Sequence, residues 1–265
     1  MHSKGDVVTG LFGKRPVRLV TFDLYDTLVE AVPPRWERFA AAAEKGGVPA
    51  DPSIFLAADL VAEEFYTIEN GRSPIRDRSP GELEQFRIDY TARMLEAAGL
   101  PHDPETALRI RDIYRGELDA IGWNYRAFDD VAPALEILER HGVARAVISN
   151  ADADVTAFCL HMGFAKHMDL IVTSALVGWE KPDSRTFFAA LDLLETAPED
   201  AIHVGDQALS DVTGAQGIGM AAALIDRYDR HHGGDYAALR VGSLTDLADA
   251  VVEHNRQFSM AGDGS

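Results

Sequence analysis

The sequence predicts an α/β protein: a doubly wound parallel-sheet core of Rossmann-like type, into which an all-helical domain is inserted. One short apolar segment stands alone near residue 20. A long stretch with only helical periodicity follows, and beyond residue 126 short apolar segments alternate with helical ones. Strands that alternate with helices need right-handed crossovers, which give a parallel sheet covered by helices on both faces.

The first strand is predicted over residues 17–22, which are mostly apolar and partly β-branched. This segment is long enough for one strand and too short for a helix. It ends in Asp23-Leu24-Tyr25-Asp26-Thr27. Because ligands of open α/β sheets bind outside the carboxyl ends of the strands, this polar segment is predicted to belong to a site.

Residues 33–124 have the apolar spacing of helices and contain no convincing strand. Two helix starts are marked, one by the capping-box spacing of Ser79 and Glu82 and one by Asp103 followed by Pro104. We predict helices over about residues 36–43, 54–68, 80–98 and 104–118. The expected domains are a core of residues 1–29 and 126–265 and a helical domain of residues 30–125.

The second half of the chain is predicted to alternate between strands and helices. Strands are expected over residues 144–148, 170–173, 201–204 and 221–225. Helices are expected over residues 130–141, 155–162, 184–194, 209–216 and 244–252. The polar segment before Arg15 is expected to form a loose arm, and the small, polar tail from Gln257 is expected to fray.

Composition and charge exclude several classes of protein. The formal net charge of −18 argues against binding to nucleic-acid backbones and to anionic membranes. No apolar run approaches the ~20 residues of a membrane span, and the first residues lack the apolar core of a signal peptide. The single cysteine, Cys159, excludes an internal disulfide framework and fits a reducing compartment. We therefore expect a cytoplasmic protein, monomeric or homodimeric.

Polar residues also follow the later strands of the predicted sheet. Ser149-Asn150 comes directly after one strand, Gly205-Asp206 after another, and Lys181 lies in the loop after a third. In a parallel sheet the carboxyl ends of the strands lie on one edge. The fold is therefore expected to gather five side chains in one crevice: Asp23, Ser149, Lys181, Asp206 and Asp211.

This set of side chains suits phosphoryl transfer. An aspartate such as Asp23 can attack phosphorus and form an aspartyl-phosphate. Because a carboxylate and a phosphate repel each other, Mg²⁺ is expected as a cofactor, and it prefers carboxylate ligands such as Asp206. Lys181 and the Ser149 hydroxyl could hold the oxygens of the transferred group. The expected substrate is a small phosphorylated metabolite.

The order of these motifs resembles the haloacid dehalogenase superfamily of hydrolases, over about residues 18–252. The helical insert resembles the cap of subfamily I of that superfamily. Residues 147–150 and 178–183 are similar to a phosphatase-like branch related to a rhythmically expressed gene product. The motifs that carry the resemblance are Asp23-x-x-x-Thr27, Ser149-Asn150, Lys181-Pro182 and Gly205-Asp206-x-x-x-x-Asp211.

The resemblance implies a role for each residue of these motifs. Asp23 is the nucleophile, and Ser149 and Lys181 bind phosphate. The substrate-binding set also includes Leu24, Tyr25, Thr27 and Asn150. The implied ligands of Mg²⁺ are Asp23, the backbone carbonyl of Tyr25, Asp206 and, directly or through a neighbour, Asp211.

Tyr25 departs from the phosphatase pattern. Phosphatases of this family typically carry, two residues after the nucleophile, an aspartate that protonates the leaving alkoxide. Haloacid dehalogenases carry tyrosine there, because halide leaves without a proton. Asp26 is a candidate replacement for the missing acid, although it projects from the next position of the loop. Its other interpretation is a residue that shapes the loop.

Three functions remain open on sequence alone. The first is Mg²⁺-dependent hydrolysis of a phosphate monoester. The second is dehalogenation of a 2-haloacid with Asp23 as nucleophile, which Tyr25 favours and Gly205-Asp206 disfavours. The third is binding of a phosphorylated ligand with little or no turnover.

Overall fold

The computed structural model describes residues 12–122, 124–231 and 238–262, without the side chains of Ile121 and residues 259–262. Most of the predicted N-terminal arm lies outside these residues. The strands in chain order are β1 (Leu19–Phe22), β2 (Val29–Ala31), β3 (Tyr125–Ala127), β4 (Ala144–Ser149), β5 (Leu170–Thr173), β6 (Ala201–Gly205), β7 (Ala221–Ile225) and β8 (Leu239–Val241).

Among the described residues the main sheet contains six strands in the order β5-β4-β1-β6-β7-β8, and its neighbouring strands pair in parallel. In β1, Leu19 lies opposite Ala144 of β4 on one side and Ala201 of β6 on the other. The chain extends the sheet from β1 through β4 to β5, then returns to the opposite side of β1 for β6. This reversal is the topological switch point at which open α/β sheets form their ligand crevice.

Helices of the core cover both faces of this sheet. They are α5 (Val131–Arg140), α6 (Thr156–His161), α7 (Ser174–Val177), α8 (Ser184–Leu193), α9 (Gly214–Gly217) and α10 (Leu244–Gly262). On one face, Leu19, Ala146 and Ile148 pack with Phe187 and Leu191 of α8. Because successive side chains of a strand point to opposite faces, Val20, Phe22 and Val147 lie on the other face, and they are also fully buried. The predicted fold class is confirmed.

Between residue 12 and α5 the structure describes four α-helices: α1 (Arg35–Lys45), α2 (Pro52–Arg72), α3 (Pro80–Ala97) and α4 (Pro104–Ile121). Their starts follow the sequence signals. Ser79 and Glu82 form a reciprocal capping box at α3, and the Asp103 side chain accepts the backbone N–H of Thr106 at α4. These helices pack on one another through Phe39, Phe55 and Met94, which are buried.

The chain divides into two compact units. One comprises residues 1–29 and 127–265, and the other comprises residues 30–126. The first unit contains the parallel sheet, and the second contains α1 to α4. The strands β2 and β3, where the chain passes from one unit to the other, pair as a small separate sheet.

Three local predictions differ from the structure. The helix expected over residues 209–216 begins as a π-helical segment, Ala208–Thr213, in which Val212 N donates to Gln207 O. The edge strand β8 was not predicted, because three residues are too short to show a period. The tail expected to fray from Gln257 continues as helix to Gly262. This helix is anchored because Asn255 bonds both the N–H and the carbonyl of Val17.

None of the helices in the described ranges combines the length and the apolar character that a membrane span requires.

Replacing Phe187 by alanine is expected to lower the free energy of unfolding by about 3–5 kcal/mol. The ring is fully buried and packs edge-on against His203 at 5.2 Å between centroids. Its removal would therefore leave a cavity in the core. Urea unfolding followed by circular dichroism measures the change. Leu193→Ala on the same helix is the matched control, since Leu193 is 68% exposed and should change stability by less than about 0.5 kcal/mol. Equal losses in both variants would contradict this assignment of the core.

Candidate active site

The loop after β1 places Asp23 at the carboxyl end of the central strand. The backbone N–H of Asp23 still bonds Val204 O of β6 at 2.8 Å, so this residue is fixed as part of the sheet. The chain then turns sharply, with Asp26 in the left-handed region at φ 56°. Leu24 O accepts the N–H groups of Leu28 and Val29, which closes the turn. The turn is therefore set by backbone bonds and leaves the Asp23 side chain at the sheet edge.

Lys181 joins two of the predicted site carboxylates. Its Nζ lies 2.7 Å from Asp23 Oδ1 and 2.7 Å from Asp211 Oδ1. The side chains of Lys181 and Asp211 are each 1% exposed, and that of Asp23 is 13% exposed. A buried ammonium between two buried carboxylates is a compensated arrangement, whereas any one of these charges alone would be costly.

Burial and charge act in opposite directions on these three groups. Burial raises the pKa of Asp23 to about 6, although the Lys181 ammonium opposes that rise. Burial alone would lower the pKa of Lys181, but Asp211 and Asp23 reverse this and raise it. Burial also opposes ionisation of Asp211, yet Lys181 and His203 hold the pKa of this carboxyl below its usual value. Lys181 and Asp211 are therefore charged at neutral pH.

Asn150 holds the loop that carries Lys181. Its Oδ1 accepts the backbone N–H of Lys181 at 2.7 Å, and its Nδ2 donates to Lys181 O at 2.9 Å. The amide is engaged at both ends by the main chain, so Asn150 positions Lys181. The substrate-binding role expected for Asn150 stays a prediction.

The hydroxyl groups of two predicted site residues are buried without a hydrogen-bond partner among the described residues. They are Ser149 Oγ, at the end of β4, and Thr27 Oγ1, in the loop after β1. Both residues were predicted to bind substrate. A buried hydroxyl without a partner has lost its bonds to water, so a ligand oxygen would restore them.

Asp206 follows β6 and has one engaged and one unengaged oxygen. Arg230 Nη2 donates to Oδ2 at 3.1 Å, and both side chains are no more than 6% exposed. Oδ1 is buried and has no hydrogen-bond partner among the described residues. Burial raises the pKa of Asp206 well above its usual value, the Arg230 charge lowers it, and the charges of Asp26 and Asp23 raise it further. Asp23 and Asp206 follow the neighbouring strands β1 and β6, in which Phe22 lies opposite Val204.

The absence of a side chain at Gly205 allows the Asp211 carboxylate to pack against the end of β6. A Cβ on Gly205 would lie 2.2 Å from Cγ and Oδ2 of Asp211. The π-helical segment brings the Asp211 side chain back to its own start, where Oδ2 accepts the N–H of Gln207 at 3.0 Å. Glycine is therefore required at position 205 by a close approach and not by its φ angle.

Asp211 has both carboxylate oxygens occupied by protein donors. Oδ1 accepts from Lys181 and lies 3.3 Å from His203 Nε2, while Oδ2 accepts from Gln207. Sequence analysis named Asp211 as a direct or indirect metal ligand. These contacts favour the indirect role, in which Asp211 fixes Lys181.

His203 lies in the core beneath the site. It is fully buried, and Thr21 Oγ1 lies 2.8 Å from its Nδ1. Burial lowers the pKa of His203 to about 4, so the ring is neutral at pH 7. A neutral ring can accept from Thr21 at Nδ1 and donate to Asp211 from Nε2.

Tyr25 and Asp26 occupy the position where the sequence departs from the phosphatase pattern. The Tyr25 ring is half-buried and packs against Phe158 at 6.1 Å between centroids. Burial raises the pKa of Tyr25, and the neighbouring Asp23 raises it further, so the phenol stays protonated at neutral pH. The role of Asp26 as an acid stays a prediction.

The loop after β7 contains site residues that sequence analysis missed. Arg230 pairs with Asp206, and His231 Nε2 donates to Asp206 O at 3.0 Å. Asp226 accepts the backbone N–H groups of both Arg230 and His231, which fixes the loop. Arg227 donates to Thr27 O at 2.7 Å. The sequence did contain a signal for this loop. Asp226-Arg227 directly follows a predicted strand, in the same way that Asp23 and Gly205-Asp206 do.

The donor atoms at the strand ends decide whether this site suits a metal ion. Across residues 12–122, 124–231 and 238–262, no group of three or more His, Cys, Asp and Glu side chains is arranged to hold a metal. Mg²⁺ does not need such a cage, since it commonly binds one or two carboxylates and keeps its other positions for water and phosphate. The unengaged Asp206 Oδ1, with Asp23 nearby, fits that requirement.

Gly205→Ala is expected to destabilise the protein by at least about 2 kcal/mol, because the new methyl group overlaps the Asp211 carboxylate and displaces it from Lys181. Chemical denaturation measures the loss. Gly217→Ala serves as control, since a Cβ there meets no atom within 4 Å. If Gly205→Ala unfolds at the same denaturant concentration as the parent chain, the close approach of Asp211 is not as described.

Comparison with known proteins agrees with this geometry. A family model described as haloacid dehalogenase-like hydrolase matches residues 17–219. The human haloacid dehalogenase-like hydrolase domain-containing protein 3 is 30% identical over 210 residues, which cover 79% of this chain and 82% of the human protein. Ribulose-1,5-bisphosphate 5-phosphatase of Halopiger xanaduensis is 30% identical over 246 residues, covering 86% and 98%.

A solved structure gives the same result for the fold. The 2-haloacid dehalogenase of Pseudomonas syringae is 25% identical, with a TM-score of 0.52, and the match covers 89% of this chain and 99% of that one. The resemblance found in the sequence motifs is thereby confirmed. With the family model spanning most of its length, this chain belongs to the haloacid dehalogenase-like hydrolase family.

Proposed function

We propose that the protein is a Mg²⁺-dependent phosphatase that hydrolyses a small phosphate monoester through an aspartyl-phosphate on Asp23. The observation that carries this proposal is the bridge from Asp23 through Lys181 to Asp211, beside an unengaged oxygen of Asp206. A carboxylate nucleophile held by a cation, with a second carboxylate able to bind a divalent ion, is the arrangement that phosphoryl transfer requires.

The chemical steps follow from these groups. An Asp23 carboxylate oxygen attacks phosphorus, the phosphorus–oxygen bond to the leaving group breaks, and that oxygen departs with the electron pair. Water then attacks phosphorus, its proton passes to a base or to solvent, and phosphate leaves as the Asp23 carboxylate re-forms. Lys181 and the Ser149 hydroxyl would stabilise the oxygens of the transferred group. Lys181 contacts Asp23, and the buried Ser149 hydroxyl, which has no hydrogen-bond partner among the described residues, lies at the end of β4, which pairs with β1.

The donors that we assign to Mg²⁺ are Asp206, Asp23 and the backbone carbonyl of Tyr25. The ion would supply positive charge between the Asp23 carboxylate and the incoming phosphate. Asp211 is assigned to Lys181 and not to the ion, since its oxygens already accept from Lys181 and Gln207. The phosphatase name of the Halopiger relative supports the choice of reaction.

Tyr25 favours one alternative. A protonated phenol beside Asp23 matches the requirement of 2-haloacid dehalogenation, in which halide leaves without a proton, and one similar solved structure is a 2-haloacid dehalogenase. The buried Asp206 opposes this alternative, since a haloacid reaction has no use for a carboxylate with an unengaged oxygen. Binding of a phosphorylated ligand without turnover is the remaining possibility.

Hydrolysis of para-nitrophenyl phosphate separates these functions. We expect activity with Mg²⁺, loss in EDTA, and a fall of at least about a thousandfold in Asp23→Asn, because the amide is not a nucleophile. The control is Asp192→Asn, an exposed carboxylate on α8, which should leave the rate unchanged. Nitrophenolate needs little protonation, so Tyr25 does not limit this assay.

The other outcomes of this assay have distinct meanings. Chloride release from 2-chloropropionate that persists in EDTA, with no phosphate hydrolysis, would establish the dehalogenase reaction instead. Mg²⁺-dependent binding of a phosphate mimic without turnover of any ester would establish a binding role.

Tyr25→Asp tests the missing acid. The variant is expected to raise hydrolysis of an alkyl phosphate about tenfold or more while changing para-nitrophenyl phosphate much less, because only an alkoxide needs a proton to leave. Tyr25→Asn is the matched control, since it gives a similar shape without a carboxyl group. Equal rates for the two variants on the alkyl phosphate would show that position 25 cannot deliver a proton.

A further inference from the structure

We propose that the helical unit of residues 30–126 contains its own binding site for a small aromatic anion, in a cavity between its helices. None of the proposed catalytic residues lines this site, since its lining residues all belong to the helical unit. Neither the proposed phosphatase reaction nor the family assignment accounts for it.

The cavity has a volume of about 510 Å³. Ligand sites of soluble proteins are commonly in the range of roughly 300–1,000 Å³ and are mostly apolar. All of α1 to α4 contribute to the walls, so the cavity is a feature of the helix packing and not of one loop.

Aromatic rings form most of the apolar wall. The Phe39 and Tyr114 rings are stacked, with centroids 4.2 Å apart and planes inclined by 17°. Tyr66 meets Tyr90 edge-on at 6.3 Å and Phe86 at 5.5 Å. These five rings come from four different helices. A planar ring is the ligand group that such walls can contact by stacking and by edge-to-face packing.

One polar corner of the cavity is occupied by an ion network within the protein. Arg35 makes two bonds to the buried Asp59 carboxylate, at 2.8 and 2.9 Å. Glu63 lies 3.1 Å from Arg35 Nη1 and accepts the Tyr90 hydroxyl at 2.7 Å. This corner fixes the walls, and its two carboxylates outnumber its one guanidinium, so the charge that selects an anion has to come from the opposite wall. Burial raises the pKa of Tyr114 to about 12, so its hydroxyl keeps its proton and can donate a hydrogen bond.

The remaining charges favour an anion. Arg87, Arg111 and Arg115 line the cavity on α3 and α4. Arg115 pairs with Asp119, and Arg111 pairs with Asp112 and Glu84. Arg87 takes part in none of these ion pairs and is exposed. In a chain of net charge −18, this concentration of guanidinium groups beside aromatic rings selects a planar ring that carries a carboxylate, sulfonate or phosphate.

The test is isothermal titration of the full chain with 2-naphthoate, a planar aromatic carboxylate, in the Asp23→Asn background. Use of that background keeps the result independent of the proposed catalysis. We expect one molecule bound per chain, and binding at least about tenfold weaker for the neutral 2-naphthamide, which lacks the charge-assisted hydrogen bond.

Paired variants locate the site. Leu118→Trp fills the cavity from its edge and is expected to abolish binding, whereas Leu108→Trp on the same helix does not reach the cavity and should leave binding unchanged. Arg87→Gln should weaken binding about tenfold, and Arg93→Gln, also on α3, should not. Circular dichroism shows which variants are folded, and Tyr114→Phe gives a second, conservative probe of the same wall.

Two outcomes would overturn the proposal. The first is the absence of saturable binding of 2-naphthoate to the folded chain. The second is binding that Leu118→Trp, Tyr114→Phe and Arg87→Gln all leave unchanged, because the ligand would then lie elsewhere. Equal affinity for the naphthoate and the naphthamide would overturn the requirement for an anion.

Discussion

The ammonium of Lys181 is the interaction on which the catalytic edge of the sheet depends. It lies between Asp23 and Asp211, at 2.7 Å from an oxygen of each. Two buried carboxylates without this cation would repel each other and would have to take up protons. Around it, Asn150 fixes the Lys181 backbone, and His203 contacts the same oxygen of Asp211 as Lys181 does. The site is therefore one connected polar network and not a set of independent side chains.

The sheet order explains how this network can form. Because β1 lies between β4 and β6, the carboxyl end of the central strand faces residues that follow both neighbours. The close approach of Asp211 to Gly205 adds a second constraint, since any side chain at position 205 would overlap the carboxylate. The π-helical segment supplies the backbone path that brings Asp211 back to this point. The same few contacts thus hold both the fold and the site, so a substitution at one of them should lower both stability and activity.

The helical unit is built around aromatic packing and not around a polar network. Its helices begin at clear sequence signals, and its interior combines stacked rings with the buried pair of Arg35 and Asp59. That pair is fully compensated, which allows a charge to lie inside an otherwise aromatic interior. The walls do not close completely, and the space they leave is large enough for a small molecule.

The sequence by itself determined the fold class, most helices and strands, and the family, because local periodicity, capping residues and motif order are properties of neighbouring residues. It also predicted that Asp23, Lys181 and Asp211 would meet, since strand ends of a parallel sheet share an edge. Only the tertiary structure decided what each group contacts. That Asn150 holds a backbone, that Asp211 faces Lys181 and that Arg230 pairs with Asp206 depend on directions of side chains from distant segments. No local pattern encodes such directions, because they are set by packing after the sheet has formed.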